Sequence, residues 1–450
     1  MEKSETSVTL LIISEYIAPV QAIASIRWTK IAKYLKRDNE EISITVLSNE
    51  KNYDNPENLL PLCRKDSLLE QDSSIFDAYW TFSPDKALIR YYRLKKRTYG
   101  TTEAIDQTNA MSSCVTWKNR LRQDMHNLLN DYKNSLLAAA AWKFFEGKNR
   151  VFDAIISSYG PVWTHLVAEK IKNKYPQTVW LADFRDPYAK ETDGPFSFWR
   201  HNLFVKRHCI AADVITRVTD DLYLNEPENA VVKMLPNGYD PQEALMPLAP
   251  PIFSLVFTGT LYGEQTDLGV VFQALKDLQC EKKINPKTVR LIYAGAQGAI
   301  AQNFSKKHDA ECFIDNRGIV SREDAMHIQQ NAAILIQLGW NNEHEKSFWT
   351  GKTYEYMMAN KPILYIMTGN IPNSAPSQNI HHLGGVCYEQ CRHKETYPLL
   401  KQYILDKYEE WKRTGNVSIQ RDEEYVQQYS YANIAESVWK LICSQEKGRV

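Results

Sequence analysis

An excess of charge of one sign is what this chain of 450 residues most plainly lacks: Lys plus Arg and Asp plus Glu each number 54. Without a global field a nucleic acid finds no broad electrostatic footprint, so any anion must be captured by a local site. No run approaches the ~20 apolar residues that span a bilayer. The N-terminal MEKSETSVTLLIISEY passes straight into a strand-like stretch, without the long apolar region and small-residue cleavage site of a signal peptide. The eight cysteines (63, 114, 209, 280, 312, 387, 391 and 443) are scattered, and only Cys387 and Cys391 are close, with no second metal-ligand pair. They read as free thiols of a reducing compartment, so the chain is expected to be cytoplasmic. Asp-x-Asp, which places a metal on a diphosphate, is absent, as are a GxSxG elbow, a Walker phosphate loop and a convincing His/carboxylate cluster. Hydrolase and kinase readings lose their usual support, His381-His382 reads as a loop pair, and no metal or cofactor is expected. Internal repeats and low-complexity tracts are missing as well.

What is present has the balance of a globular protein, 44% hydrophobic and 24% charged, and a length that points to two domains. VTLLIIS at 8–14 is an unbroken apolar run, as expected of a parallel strand covered on both faces. Trp28, Ile31, Ala32 and Leu35 recur at helical spacing, and ISITVLS at 42–48 is the next buried strand, completing a βαβ pattern. The alternation returns with FDAIISS, a helix around 164–174, TVWLADF, a helix at 198–211 and DVITRV. Residues 52–150 lack strand alternation and read as a large, mostly helical insertion. A Pro-Asn-Gly turn and a proline-rich stretch place a linker near 240–250. A second alternation follows: IFSLVFT, TVRLIYAG, CFIDNRG, AAILIQL, the GKTYEYMM helix and PILYIM. The expectation is an α/β chain of two facing, doubly wound, Rossmann-like domains, 1–245 and 246–420. A helical stretch at 421–450 is either a plain terminal helix or one that crosses back to the first domain.

Ligands of such sheets sit at the carboxyl ends of the strands, and the motifs follow strands. GKTYEYMMANKPIL at 351–364 puts Lys352, Thr353 and Glu355 at a helix start, where free N–H groups and the helix dipole attract phosphate and Lys352 adds a point charge. Glu355, one turn on, can accept from a ribose diol; the bland alternative is an amphipathic helix with Glu355 merely exposed. Gly259, in VFTGTLYG, lets backbone approach a phosphate or simply makes a turn. In NRGIVSREDA, Ser321 and Asp324 form a helix cap. Arg185 and Asp186 of DFRDPYA follow a buried strand, as a surface salt bridge or as reacting groups. Arg27 and His165 follow other strands, each either structural or acceptor-facing.

The GKTYEYMMANKPIL segment resembles the donor-binding helix of family-4-like glycosyltransferases of the GT-B fold, whose sequences often read SKxYEYLAAGKPIL. The resemblance extends over LIISEYIAPVQAIASIR, LADFRDPYA, LPNGYD at 235–240, VFTGTLYG, LIYAGAQG at 291–298 and NRGIVSREDA, and covers 52–150 least. It implies a nucleotide-sugar-dependent, retaining transferase. The residues it implies on the donor are Gly259, Thr260, Gly295, Arg317, Ile319, Val320, Lys352, Thr353 and Glu355. The backbone near Ile319 and Val320 would meet the nucleobase, Glu355 would match the second acid of an acid-x7-acid motif, and Asp186 and Arg185 would stand at the reacting centre with Arg27 and His165 on the acceptor. The chain departs from the family at three places. Ser347 stands where the first acid belongs, with Glu343 and Glu345 reaching that place only through a loop shift. Thr260 replaces the Arg after the glycine, and no Lys appears before Lys276.

The function expected is sugar transfer from a nucleotide donor to a hydroxyl of a glycan or lipid-linked glycan, in cell-surface polysaccharide synthesis. RYYRLKKR at 90–97 and WKNRLR at 117–122 interleave basic and aromatic side chains, either as a solvated helix face or as a peripheral contact with the inner face of a membrane. Two rivals stand beside this reading. A nucleotide-sugar epimerase of the same fold would convert donor without acceptor, and a non-catalytic nucleotide-sugar-binding or scaffold protein would bind donor without turnover.

Overall fold

Buried apolar runs flanked by amphipathic helices become parallel strands, because both faces of each strand must be covered. The computed structural model describes residues 8–53, 63–83, 86–99, 117–188, 193–219, 222, 224, 226–244, 246–342 and 349–447. These residues divide into two compact units, one formed by 1–236 with 431–450 and the other by 237–430.

The first unit is built on a seven-stranded sheet in the order β3-β2-β1-β4-β5-β6-β7, every neighbouring pair parallel. Its strands are β1 (Thr9–Ile13), β2 (Ser43–Asn49), β3 (Ala78–Phe82), β4 (Ala154–Ser158), β5 (Val179–Phe184), β6 (Val214–Arg217) and β7 (Val232–Met234). The order reverses between β1 and β4. The apolar positions anticipated from helical spacing, Trp28, Ile31, Ala32 and Leu35, are fully buried under this sheet with Leu10 and Ile12 of β1.

One element differs from the sequence expectation here, and the structure decides between the two alternatives for another. Residues 52–150 do contain a strand: β3 lies among them and pairs with β2, escaping notice because a five-residue edge strand with half-exposed side chains carries little periodicity. The helices Lys86–Tyr99 and Trp117–Lys148 supply the helical part. The stretch 421–450 is two helices, Glu423–Gln427 and Tyr431–Lys447. The second belongs to the first unit, where Tyr431, Ile434, Val438 and Ile442 join the core around Trp28 and Ile31.

The second unit holds a six-stranded parallel sheet, β10-β9-β8-β11-β12-β13. The strands are β8 (Phe253–Thr258), β9 (Val289–Ala294), β10 (Ile314–Gly318), β11 (Ile334–Asn341), β12 (Ile363–Gly369) and β13 (Gly385–Glu389). The order reverses between β8 and β11, the topological switch at which open α/β sheets bind ligands. The proline-rich stretch expected to be a linker is instead tied to this unit. Leu248 N donates to Gln330 O at 3.1 Å, Lys361 Nζ to Leu248 O at 2.5 Å and Trp411 Nε1 to Pro250 O at 2.9 Å.

Among the described residues no helix is long and apolar enough to cross a membrane. The seven described cysteines are free thiols.

Candidate functional site

Three glycines close the carboxyl ends of β8, β9 and β10. Gly259 N donates to Ala294 O at 2.9 Å and Gly295 N to Gly318 O at 2.8 Å, so the three loops leave the sheet stitched together. A Cβ on Gly295 would stand 2.1 Å from the Gly259 carbonyl and 2.3 Å from the Tyr293 hydroxyl, which itself donates to Gly259 O at 3.0 Å. Only glycine fits there. A Cβ on Gly259 would lie 3.5 Å from Cε of Lys352, which shows how close the Lys352 side chain runs to the backbone after β8.

Lys352 stands in the first turn of the helix Gly351–Ala359, which follows β11 across the switch point. Thr350 does not cap this helix, because its hydroxyl accepts from Gln337 Nε2 at 2.7 Å. Among the described residues no side chain caps the first-turn N–H groups, and the positive end of the helix dipole adds to Lys352. Lys352 Nζ donates to Glu355 Oε2 at 2.5 Å, and Gln329 Nε2 donates to the same oxygen at 3.2 Å and to Thr258 Oγ1 at 2.8 Å. Thr258, Gly259, Gln329, Lys352 and Glu355 thus converge from β8, the helix Arg322–Gln330 and the helix Gly351–Ala359. Both charged groups are half-buried and open to exchange partners, since each carboxylate and ammonium is a charge-assisted bond whose other member an incoming group can replace. Sequence reasoning missed Gln329 and Thr258. Gln329 is 1% exposed beside a partly exposed Gln330, a difference that helical spacing against the sheet reveals and residue type does not.

The other donor-side expectations fall around this cluster unequally. Thr260 is exposed directly after Gly259. Gly318 has φ +67, and the chain after it presents Ile319 with 72% of its surface open, next to half-buried Val320. Arg317 is exposed and paired with Asp315 at 2.7 Å. Ser321 Oγ accepts from Asp324 N at 3.0 Å, the expected cap. Thr353 is a correction: its side chain is 1% exposed and its N–H already donates to Thr350 O at 3.0 Å, so it turns into the core rather than toward a ligand. Ser347, Glu343 and Glu345 lie outside the described residues.

On the first unit, Arg185 and Asp186 follow β5. Arg185 Nε and Nη2 donate to Tyr159 O at 3.0 and 2.8 Å, clamping the guanidinium over the Gly160 turn at the end of β4. Burial pulls its pKa down against the holding effect of Asp183 and Asp186. Asp186 is exposed. At the switch of this sheet, Glu15 after β1 is held by Lys51 at 2.5 Å and by the Trp163 indole N–H at 2.6 Å; burial raises its pKa, but these partners outweigh it and the carboxyl stays below its usual range. Sequence reasoning did not single out Glu15.

Two acceptor-side expectations are overturned. Arg27 is 1% exposed, its Nη2 2.8 Å from Asp183 Oδ1 and its Nη1 and Nη2 donating to Pro236 O and Leu235 O at 2.6 and 2.7 Å. Asp183 also accepts from Trp28 Nε1 and Thr216 Oγ1, both at 2.8 Å, so this is a buried network joining the helix Ile23–Asp38 to β5. His165 is fully buried with Nδ1 2.7 Å from Ser157 Oγ, and burial, then His208, push its pKa well below the usual value. Neither side chain reaches the surface, because each lies on the inner face of its helix.

No family model matches the chain, and no curated protein sequence does. Solved structures do. A sucrose-phosphate synthase from Thermosynechococcus elongatus aligns with a TM-score of 0.58 at 10% identity, covering 97% of this chain and 98% of its own. An E. coli trehalose-6-phosphate protein bound with UDP-2-fluoro glucose aligns at 0.56 and 10%, over 96% and 99%. A protein assigned as a UDP-N-acetylglucosamine 2-epimerase from Listeria monocytogenes aligns at 0.51 and 11%, over 98% and 97%. At such identities the likeness shows the fold: two Rossmann-like units of the GT-B kind, along nearly the whole chain.

Proposed function

We propose that this chain is a glycosyltransferase that moves a sugar from a nucleotide-sugar donor to a hydroxyl of a glycan or lipid-linked glycan. The observation that carries the reading is the convergence of Gly259, Lys352, Glu355 and Gln329 at the switch point of the second sheet. A diphosphate placed over Gly259 meets Lys352 and the helix start at Gly351, which supply the positive charge that the missing Arg and Lys of the family would otherwise give. As Lys352 turns to the phosphate, Glu355 is released to accept from the ribose diol. Gly295 keeps the neighbouring loop close, Thr260 borders the phosphates, and exposed Ile319 with the backbone at Val320 and the side chain of Arg317 borders the nucleobase.

In the reaction the bond from the donor's anomeric carbon to the diphosphate oxygen breaks and the acceptor oxygen bonds to that carbon, its proton leaving with the diphosphate. Negative charge grows on the leaving group, so Lys352 contributes more in the transition state than in the ground state. Arg185 and Asp186 are assigned to the acceptor and reacting centre. A retaining course, a role in cell-surface polysaccharide synthesis and peripheral membrane contact through the basic-aromatic region at 90–122 belong to the same reading. Most of that region's side chains lie outside the described residues, although Tyr91 and Tyr92 pack against the core of the first unit.

The test is a screen of nucleotide sugars by thermal shift and turnover, since a ligand that binds only the folded chain raises its midpoint. Stabilisation by a nucleoside diphosphate with sugar transfer to an added acceptor supports the reading. The same cluster also suits an epimerase, as the likeness to the Listeria protein suggests; epimer formed from donor alone would establish that reading instead.

A further inference from the structure

The loop after β8 carries a second feature beside Gly259. Tyr262 stands three residues on, so its Cα lies within ~11 Å of the Gly259 Cα. Its ring meets the Trp340 indole edge-on, with centroids 5.6 Å apart and planes at 60°. Trp340 is the last residue but one of β11, the strand across the switch point, and is half-buried. The two rings thus bridge the carboxyl ends of the strands between which the order of the second sheet reverses.

Tyr262 remains 53% exposed in this contact, and its loop holds it there. Its N–H donates to Thr266 Oγ1 at 2.5 Å. Leu261 N donates to Gln297 Oε1 at 3.3 Å while the Leu261 side chain enters the core, and Gln265 O accepts from Thr368 Oγ1. The loop is therefore fastened on both sides of the ring, to the segment after β9 and to β12. An open aromatic ring kept in place at a ligand-binding edge offers a flat apolar face with a negative quadrupole, which attracts polarised C–H bonds and disfavours a carboxylate.

The strand order says which part of a ligand arrives there. Along β10-β9-β8-β11 the proposed donor has its nucleobase beside Ile319, after β10, and its diphosphate over Gly259, after β8. Continued in the same direction, the sugar comes to the end of β11, where Trp340 and Tyr262 stand.

We propose that Tyr262 and Trp340 form the donor-sugar subsite and select an uncharged hexopyranosyl group, whose C–H face packs on the Tyr262 ring, over a hexuronosyl group. The inference rests on the nucleotide-sugar reading and adds to it the class of sugar. Calorimetry on the full chain compares UDP with UDP-glucose and UDP-glucuronate, and GDP with GDP-mannose and GDP-mannuronate. The unmodified chain binds the hexose form of its nucleotide about five- to ten-fold more tightly than the hexuronate form. Y262A, at a side chain largely open to solvent, keeps the thermal midpoint and the nucleoside-diphosphate affinity but weakens the hexose form by about five- to ten-fold. Y262F binds as the unmodified chain does, because the ring rather than the hydroxyl makes the contact. Equal affinity for hexose and hexuronate overturns the inference without recourse to any variant. So does a Y262A chain that loses the diphosphate and the hexose form alike, or neither. In each of those outcomes nucleotide binding by the unmodified chain leaves the donor reading standing. A chain that binds none of these probes removes the donor reading itself, and the subsite with it.

Discussion

Lys352 and Glu355 form an ion pair at 2.5 Å within one turn of the same helix, at the switch point of the second sheet and beside the Gly259 backbone. Each therefore satisfies the other, and under the proposed function a phosphate takes the place of one partner and a diol that of the other. Lys352→Ala is expected to lose a charge-assisted contact of about 1.5–3 kcal/mol and to lower both nucleoside-diphosphate affinity and turnover. Glu355→Gln weakens the nucleoside part chiefly. Calorimetry with the nucleoside diphosphate measures both, and two folded variants that bind like the unmodified chain would remove the donor site from this helix.

Gly259 and Gly295 separate binding from folding. Alanine at 259 meets only ordinary contacts, 3.4 Å to Phe257 and 3.5 Å to Lys352, so Gly259→Ala keeps the thermal midpoint while its methyl occupies the approach to the phosphate. Gly295→Ala drives a methyl into the Gly259 carbonyl at 2.1 Å and is expected to cost ~1–3 kcal/mol of stability. Denaturant melts beside calorimetry distinguish the two.

Asp186→Asn, on the exposed end of β5, is expected to reduce turnover and leave nucleotide binding nearly unchanged, the signature of a group that acts on the reacting centre alone. Steady-state kinetics and calorimetry on the same preparation check it. Equal losses in both would place Asp186 elsewhere.

Arg27→Met tests the correction made by the structure. Removing one member of a buried pair leaves Asp183 uncompensated and costs about 3–5 kcal/mol. The expected outcome is a large drop in the unfolding midpoint. A stable Arg27→Met protein that fails only in acceptor binding would restore the acceptor role.

The pH dependence of stability follows from three histidines of the first unit. Although burial opposes it, hydrogen bonds with Asp131 and Asp193 raise His201 to about 9, so its stabilisation is full below the unfolded value of about 6.5 and is lost as pH rises through 9. Burial lowers His208 to about 3, with Arg207 adding to the effect, and pushes His165 down likewise. Both stay neutral in the fold, and their protonation in the unfolded chain erodes stability as pH falls below about 6.5. Urea melts between pH 4 and 10 should thus peak near neutrality, and His201→Gln should flatten the alkaline limb alone.

Sequence by itself determined the two alternations of strand and helix, because a strand covered on both faces must be apolar throughout and a covering helix must repeat its apolar positions. VTLLIIS, FDAIISS, IFSLVFT and AAILIQL are legible for that reason, as are the loop glycines and the cap at Ser321. The edge strand β3 and the short strands β7 and β13 were not legible, since an edge or a three-to-five-residue strand needs no such pattern. Tertiary structure alone decided which polar residues are functional candidates. Arg27 and Asp186 are both charged residues in segments that follow strands, yet one is locked under the sheet and the other is open. Gln329 and Gln330 are the same residue one step apart, and only the packing of their helix against β8 turns the first toward Thr258 and Glu355. Residue type states which chemistry a side chain can perform, but the rotation of its helix against the sheet fixes whether that chemistry meets a ligand or the core.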